Sequence, residues 1–86
     1  MKVLTHKKFD KAFKKMPAYL HKKFAEQIDL IKNNPSDSRL NDHALSGEYS
    51  GCRSIDITGD WRVIYEQVDI QIIRLLIIGT HSQLYG

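Results

Sequence analysis

Three features of this 86-residue chain predict an α+β domain: two amphipathic helical stretches confined to residues 6–33, short apolar strand-like runs after residue 51, and turns of two or three residues between those runs. Turns that short join antiparallel neighbours, because a parallel pair needs a crossover of a dozen residues or more. The expected architecture is an N-terminal helical hairpin packed on a small, mainly antiparallel sheet.

Residues 2–5 read as a short strand, after which Thr5 can cap a helix whose apolar positions Phe9, Ala12, Phe13 and Met16 follow the i, i+3, i+4, i+7 spacing. Pro17 breaks that helix and suits the first turn of a second one, which carries Leu20, Phe24, Ile28 and Ile31 on one stripe and stops at Asn33-Asn34-Pro35. The strands are predicted at Cys52–Ile57, Trp61–Gln67 and Ile70–Ile78, with turns at Thr58-Gly59-Asp60 and Val68-Asp69. In the last of them both alternating sets are largely apolar, Ile73, Leu75 and Ile77 against Ile70, Ile72, Leu76 and Ile78, as in a central strand covered on both faces. A helical hairpin covers one face. The other is expected to be closed by the loop at 36–50, by the C-terminal tail or by a partner protein.

Length and composition bound the function. A chain this short supports one core, so residues 1–86 are read as a single domain, and 42% hydrophobic with 27% charged residues is the balance of an ordered protein. Cys52 is the one cysteine and has no internal disulfide partner, and no secretory or membrane-spanning stretch is apparent, so a reducing cytoplasm is the expected location. The net charge of +3 hides an asymmetry: residues 1–32 hold all nine lysines against three acids, whereas residues 33–86 hold four arginines against seven acids. A lysine-rich helical surface attracts phosphates or an acidic protein; the plainer reading is a solvated helix face.

The residues able to do chemistry lie at the ends of the predicted strands. His43 and His81 sit in flanking loops and Asp60 in a turn; Trp61 and Tyr85 offer flat surfaces on which an unstacked base can rest. RNA cleavage without a metal needs a base for the 2′-hydroxyl proton, an acid for the leaving 5′-oxygen and donors for the developing phosphorane charge, and histidine suits either proton role. Each residue also has a plainer reading: incidental loop histidines, an ordinary turn aspartate and a core tryptophan. No His/Cys pair has zinc-site spacing and no cofactor motif appears, so neither metal nor cofactor is expected. His6 and His21 read as surface residues, and Ser46-Gly47 and Ser50-Gly51 as loop punctuation.

The strings Asp42-His43-Ala44-Leu45-Ser46-Gly47, Gly51-Cys52-Arg53-Ser54, Asp60-Trp61-Arg62-Val63-Ile64-Tyr65 and Gly79-Thr80-His81-Ser82-Gln83-Leu84-Tyr85 together resemble the YafQ branch of the RelE toxin superfamily. The resemblance implies a bacterial type II toxin–antitoxin system, in which the toxin cuts mRNA on the translating ribosome and a cognate antitoxin silences it in a hetero-oligomeric complex. It places the family's functional positions on His43, Asp60, Trp61, His81 and Tyr85. Where the family usually has a second histidine, four residues before the aspartate, this chain has Asp56, and Gly59 stands for the usual proline. His81 is thus the expected acid and His43 or Asp56 the base, with Asp60 orienting, Tyr85 positioning the nucleotide, and Arg53, Trp61, Lys11 and Lys15 contacting RNA. Two other classes remain open: a ParE-like toxin that blocks DNA gyrase without catalysis, and a basic interaction module in which the lysines matter and the histidines do not.

Overall fold

In the computed structural model, which describes residues 1–85, the predicted α+β architecture is present as one five-stranded mixed sheet with three α-helices. The strands are β1 (Lys2–Thr5), β2 (His43–Ala44), β3 (Arg53–Asp56), β4 (Trp61–Asp69) and β5 (Ile72–Thr80), in the spatial order β1-β5-β4-β3-β2. The helices are α1 (Lys7–Lys14), α2 (His21–Asn33) and α3 (His81–Tyr85), with single 3₁₀ turns at Ala18–Leu20, Ser38–Leu40 and Gly47–Tyr49. No described helix is long and apolar enough to cross a membrane.

β3, β4 and β5 pair antiparallel through their short turns, and β1 adds to β5 in parallel. β5 is therefore central, as its two apolar faces require. On one face the helical hairpin delivers Phe9, Met16, Leu20 and Ile31 onto Ile55, Val63, Ile73, Leu75 and Ile78, forming the main core. On the other face Ile64 is fully buried although it lies outside that cluster, and Leu84 of α3 is buried as well. This second face is closed from within the chain: the 3₁₀ turn Gly47–Tyr49 and α3 line a common hollow over Leu76 and Ile77.

Three details depart from expectation. The cap of α1 is His6 rather than Thr5: Thr5 stays in register with Leu75, the His6 N–H still bonds the Leu75 carbonyl at 2.8 Å, and His6 Nδ1 then accepts the Lys8 N–H at 3.0 Å. His21 is not merely solvated, since its ring stacks on Phe13 with centroids 5.1 Å apart. The β4–β5 hairpin runs two residues further than predicted because the Asp69 carboxylate accepts the Gln71 N–H at 2.7 Å, an Asx turn that moves the tip onto Asp69–Gln71 and leaves Ile70 87% exposed.

One buried polar side chain ties the layers together. Gln27 of α2 is 4% exposed and its amide donates to the carbonyls of Arg39 at 3.2 Å and Asp56 at 2.9 Å, locking helix, loop and β3. Gln27→Leu keeps the volume but strands both acceptors, and is expected to cost about 2–4 kcal/mol in a urea titration, against about 1 kcal/mol for one ordinary hydrogen bond. A loss under 0.5 kcal/mol would mean that the two carbonyls find other partners.

Candidate functional site

The sheet ends where β4 begins and β5 stops. Trp61 pairs with Thr80 and Arg62 with Gly79, and the ladder runs one step further as the Asp60 carbonyl accepts the His81 N–H at 3.0 Å. There the chain turns into α3 through a capping box: the Thr80 N–H bonds Gln83 Oε1 at 2.8 Å while the Gln83 N–H bonds Thr80 Oγ1 at 3.2 Å. Gly79 makes room for the fold-back, because a Cβ there would lie 3.0 Å from Gln83 Oε1 and 3.2 Å from a Leu84 methyl.

His81 and Tyr85 are four residues apart and so share one face of α3, with ring centroids 4.9 Å apart. Tyr49 meets the edge of Tyr85 at 6.2 Å and 88°. It is brought there by a loop held between two left-handed glycines, Gly47 at φ 66° and Gly51 at φ 90°. Burial, then the charge of Glu48, push the Tyr49 phenol above its ordinary range. Tyr49 was not anticipated from the sequence, since nothing local to it signals that the loop folds across the sheet.

Strand register sorts the other candidates onto faces. His43 lies opposite Ser54, Asp56 opposite Arg62, and Arg62 opposite Gly79, so these side chains share one face of the sheet. Asp56 Oδ2 accepts from Asn41 Nδ2 at 3.2 Å, whereas Oδ1 is buried and lies 3.3 Å from Arg62 Nε as an ion pair without a hydrogen bond. Asn41 adopts a left-handed backbone, φ 48°, that turns the chain into β2. The Asn41 carbonyl in turn lies 2.8 Å from His43 Nδ1, so in the neutral ring that nitrogen carries the proton and Nε2 presents its lone pair outward.

Strand register alone does not bring the two histidines together. Three interstrand steps separate β2 from β5, about 14 Å at the usual strand spacing, and His81 lies four residues beyond the Ile77 row that His43 shares through Ser54 and Ile64. Asp60 is the acidic neighbour of His81; it is exposed, and its carboxylate has no protein partner among the described residues.

Arg53 is turned the other way. It is on the helix-side face with Tyr65, and its Nε donates to Asp42 Oδ1 at 2.7 Å. Tyr65, 3% exposed, donates its hydroxyl to the other Asp42 oxygen. This pair of bonds fixes the residue immediately before His43. Trp61 packs against the main core, yet with Lys15, Ala12 and Leu84 it also lines a shallow hollow beside α3. Lys11 is exposed on α1.

Burial first, and then the Asp42 bond, hold the Tyr65 phenol well above its ordinary range. Its neutral form is thus favoured by folding, a contribution fully present below the unfolded phenol's pKa of about 10 and lost as pH rises beyond it. Tyr65→Phe is expected to cost about 1.5–3 kcal/mol near neutral pH, and the gap between variant and parent should narrow in urea titrations at pH 11. A gap unchanged between the two pH values would contradict this account.

Among the described residues no group of three or more His, Cys, Asp or Glu side chains gathers to hold a metal ion. The family model described as the bacterial toxin of type II toxin–antitoxin system, YafQ, matches residues 1–86. Crystal structures of similar fold include YafQ from E. coli strain BL21(DE3), 24% identical over 99% of this chain and 98% of that one, TM-score 0.79. The E. coli DinJ–YafQ toxin–antitoxin complex contains a chain 25% identical, with 99% and 97% coverage and TM-score 0.80. A copper-bound mutant toxin from Helicobacter pylori is 28% identical over 99% of each chain, TM-score 0.75. No curated protein matches the chain in sequence. With a family match that runs its full length over the fold and loop motifs described above, this chain belongs to the YafQ toxins of bacterial type II toxin–antitoxin systems.

Proposed function

We propose that this toxin is an endoribonuclease that cuts mRNA on the translating ribosome, in the cytoplasm, by metal-independent proton transfer, and that a cognate antitoxin silences it by binding. The observation that carries the reading is the His81–Tyr85 ring pair, 4.9 Å between centroids, set beside the free carboxylate of Asp60 at the open end of the sheet. An imidazole, a carboxylate and two tyrosine faces there provide a proton donor, a proton acceptor and a stacking platform within one nucleotide's reach.

In this reading Asp60 takes the 2′-hydroxyl proton as the 2′-oxygen attacks the adjacent phosphorus. The bond from phosphorus to the 5′-oxygen breaks, and His81 gives its proton to that leaving oxygen. The products are a 2′,3′-cyclic phosphate and a 5′-hydroxyl. Tyr85, backed by Tyr49, stacks the flanking base. His43, with Nε2 outward, hydrogen-bonds a neighbouring nucleotide rather than the scissile group. Lys11 and Lys15 on α1 attract the phosphate backbone beside Trp61, a role that weakens steeply with salt. The E. coli DinJ–YafQ complex supports an antitoxin partner for this chain, forming a hetero-oligomer.

The test is cleavage of mRNA on purified, programmed ribosomes. Cyclic-phosphate ends formed by the wild type, and formed far more slowly by His81→Ala and Asp60→Asn, are the expected result. Intact mRNA with the wild type, or DNA damage in place of translation arrest on expression, would overturn the proposal.

A further inference from the structure

β2 is two residues long and lies at the edge of the sheet, so its ladder alone gives His43 little hold. The hold comes from the residue before it. Asp42 turns its side chain, 13% exposed, to the helix-side face, where one oxygen accepts from Arg53 Nε at 2.7 Å and the other from the Tyr65 hydroxyl. Arg53 belongs to β3 and the buried Tyr65 to β4, so the carboxylate is held by two neighbouring strands at once. Because side chains alternate along an extended chain, anchoring Asp42 on that face turns His43 to the open one.

Asn41 completes the hold from the other side. Its backbone is left-handed, φ 48°, and its amide donates to Asp56 Oδ2 at 3.2 Å. The carbonyl that lies 2.8 Å from His43 Nδ1 belongs to the planar peptide joining Asn41 to Asp42. With a residue tied down at each end of that plane, the carbonyl is aimed at the ring. Charge networks taken out of water are a weak source of net stability, since desolvation offsets the attraction; what this one supplies is a single arrangement of residues 41–43. Resting on the ribonuclease reading above, we propose that Asp42 is a positioning residue: held by Arg53 and Tyr65, it sets the face and the tautomer of His43, so that Nε2 meets the RNA as a hydrogen-bond acceptor. Arg53 then serves as an anchor on the helix-side face rather than as a contact to RNA. The nucleotide that His43 meets must offer a proton, from a hydroxyl or an amino group. Asp42, Arg53 and Tyr65 make and break no covalent bond, so the balance of the cleavage step is unchanged.

Two measurements test it. Nitrogen chemical shifts of the His43 ring near pH 8.5, about two units above the ordinary imidazole pKa, report which nitrogen carries the proton, with no RNA present. The wild type should show Nδ1–H, and Asp42→Ala a mixture of the two tautomers. Single-turnover cleavage of ribosome-bound mRNA should fall about 10–10²-fold in Asp42→Ala, the effect of a displaced contact group, and less in Asp42→Asn, whose amide keeps one acceptor. His43→Ala should lose a similar factor, and adding Asp42→Ala to it should lower the rate by less than about threefold further, since the two act as one unit. Thermal melts establish that each variant is folded; where Asp42→Ala is not, Arg53→Gln and Tyr65→Phe, each removing one anchor, take its place in both measurements. An Asp42→Ala protein that keeps the Nδ1–H form, or cuts within about twofold of the wild type, would overturn this assignment and leave the ribonuclease reading standing. Losses that multiply in the double variant would show that Asp42 acts other than through His43, and would overturn it as well. A wild type that cuts nothing would remove the ribonuclease reading and this assignment together.

Discussion

Replacing His81 with alanine is expected to slow cleavage of ribosome-bound mRNA by about 10²–10⁴-fold, the range that a positioned general acid contributes. The size of the effect follows from what the leaving group requires. A 5′-alkoxide is a poor leaving group, and His81 is the imidazole at the open end of the sheet, with its backbone pinned to Asp60 and its ring set against Tyr85. The side chain is exposed and buries little, so its removal should change folding stability by less than about 0.5 kcal/mol. Loss of activity then reports chemistry rather than unfolding. A substrate whose leaving 5′-oxygen is replaced by sulfur separates the acid role from ring packing, because a thiolate departs without a proton. On that substrate His81→Ala should come within about tenfold of the wild type. An equal deficit on both substrates would show that His81 holds Tyr85 or the nucleotide in place and donates nothing.

The parts of this molecule written in local periodicity were readable from its residues, and the parts written in long-range register were not. The α1 and α2 stripes and the β3–β4–β5 meander follow from helical and strand spacing and from short turns. The parallel pairing of β1 with β5 joins residues some seventy positions apart, and no local signal specifies it. The α3 helix is only five residues long, too short for periodicity, although Thr80-His81-Ser82-Gln83 carries the capping-box pattern that the structure uses. Asp60, His81 and Tyr85 were legible as a cluster because they lie within two turns at one sheet end. His43 was not, because its distance from His81 depends on how many strands intervene. The Asp56–Arg62 pair was hidden for a related reason: the two face each other only once the register across the Thr58–Asp60 turn is known. Arg53 and Asp42 show the same dependence, since alternation along β3 decides which face Arg53 serves.

The largest stability effect is expected at Ile73, and its contrast with Ile70 shows why burial rather than residue type sets the cost. The two isoleucines stand three positions apart in one apolar run, yet Ile73 is 0% exposed and Ile70 is 87% exposed. Ile73 lies in the central strand, opposite Val3 of β1 and Gln67 of β4, and belongs to the core beneath the helical hairpin. Truncating it to alanine removes buried carbon and leaves a space that flanking strands on both sides cannot close. The expected cost is about 2–5 kcal/mol, against a total of roughly 4–13 kcal/mol for a domain of this size. At about 4–8 °C per kcal/mol, the melting temperature should fall by roughly 8–40 °C. Ile70→Ala, at the solvated hairpin tip, should stay within about 0.5 kcal/mol of the wild type. Thermal melts of the two variants side by side decide the matter. Equal shifts would mean that Ile70 is covered in solution by something outside this chain, and that the Asx turn at Asp69 does not hold the tip where it is seen.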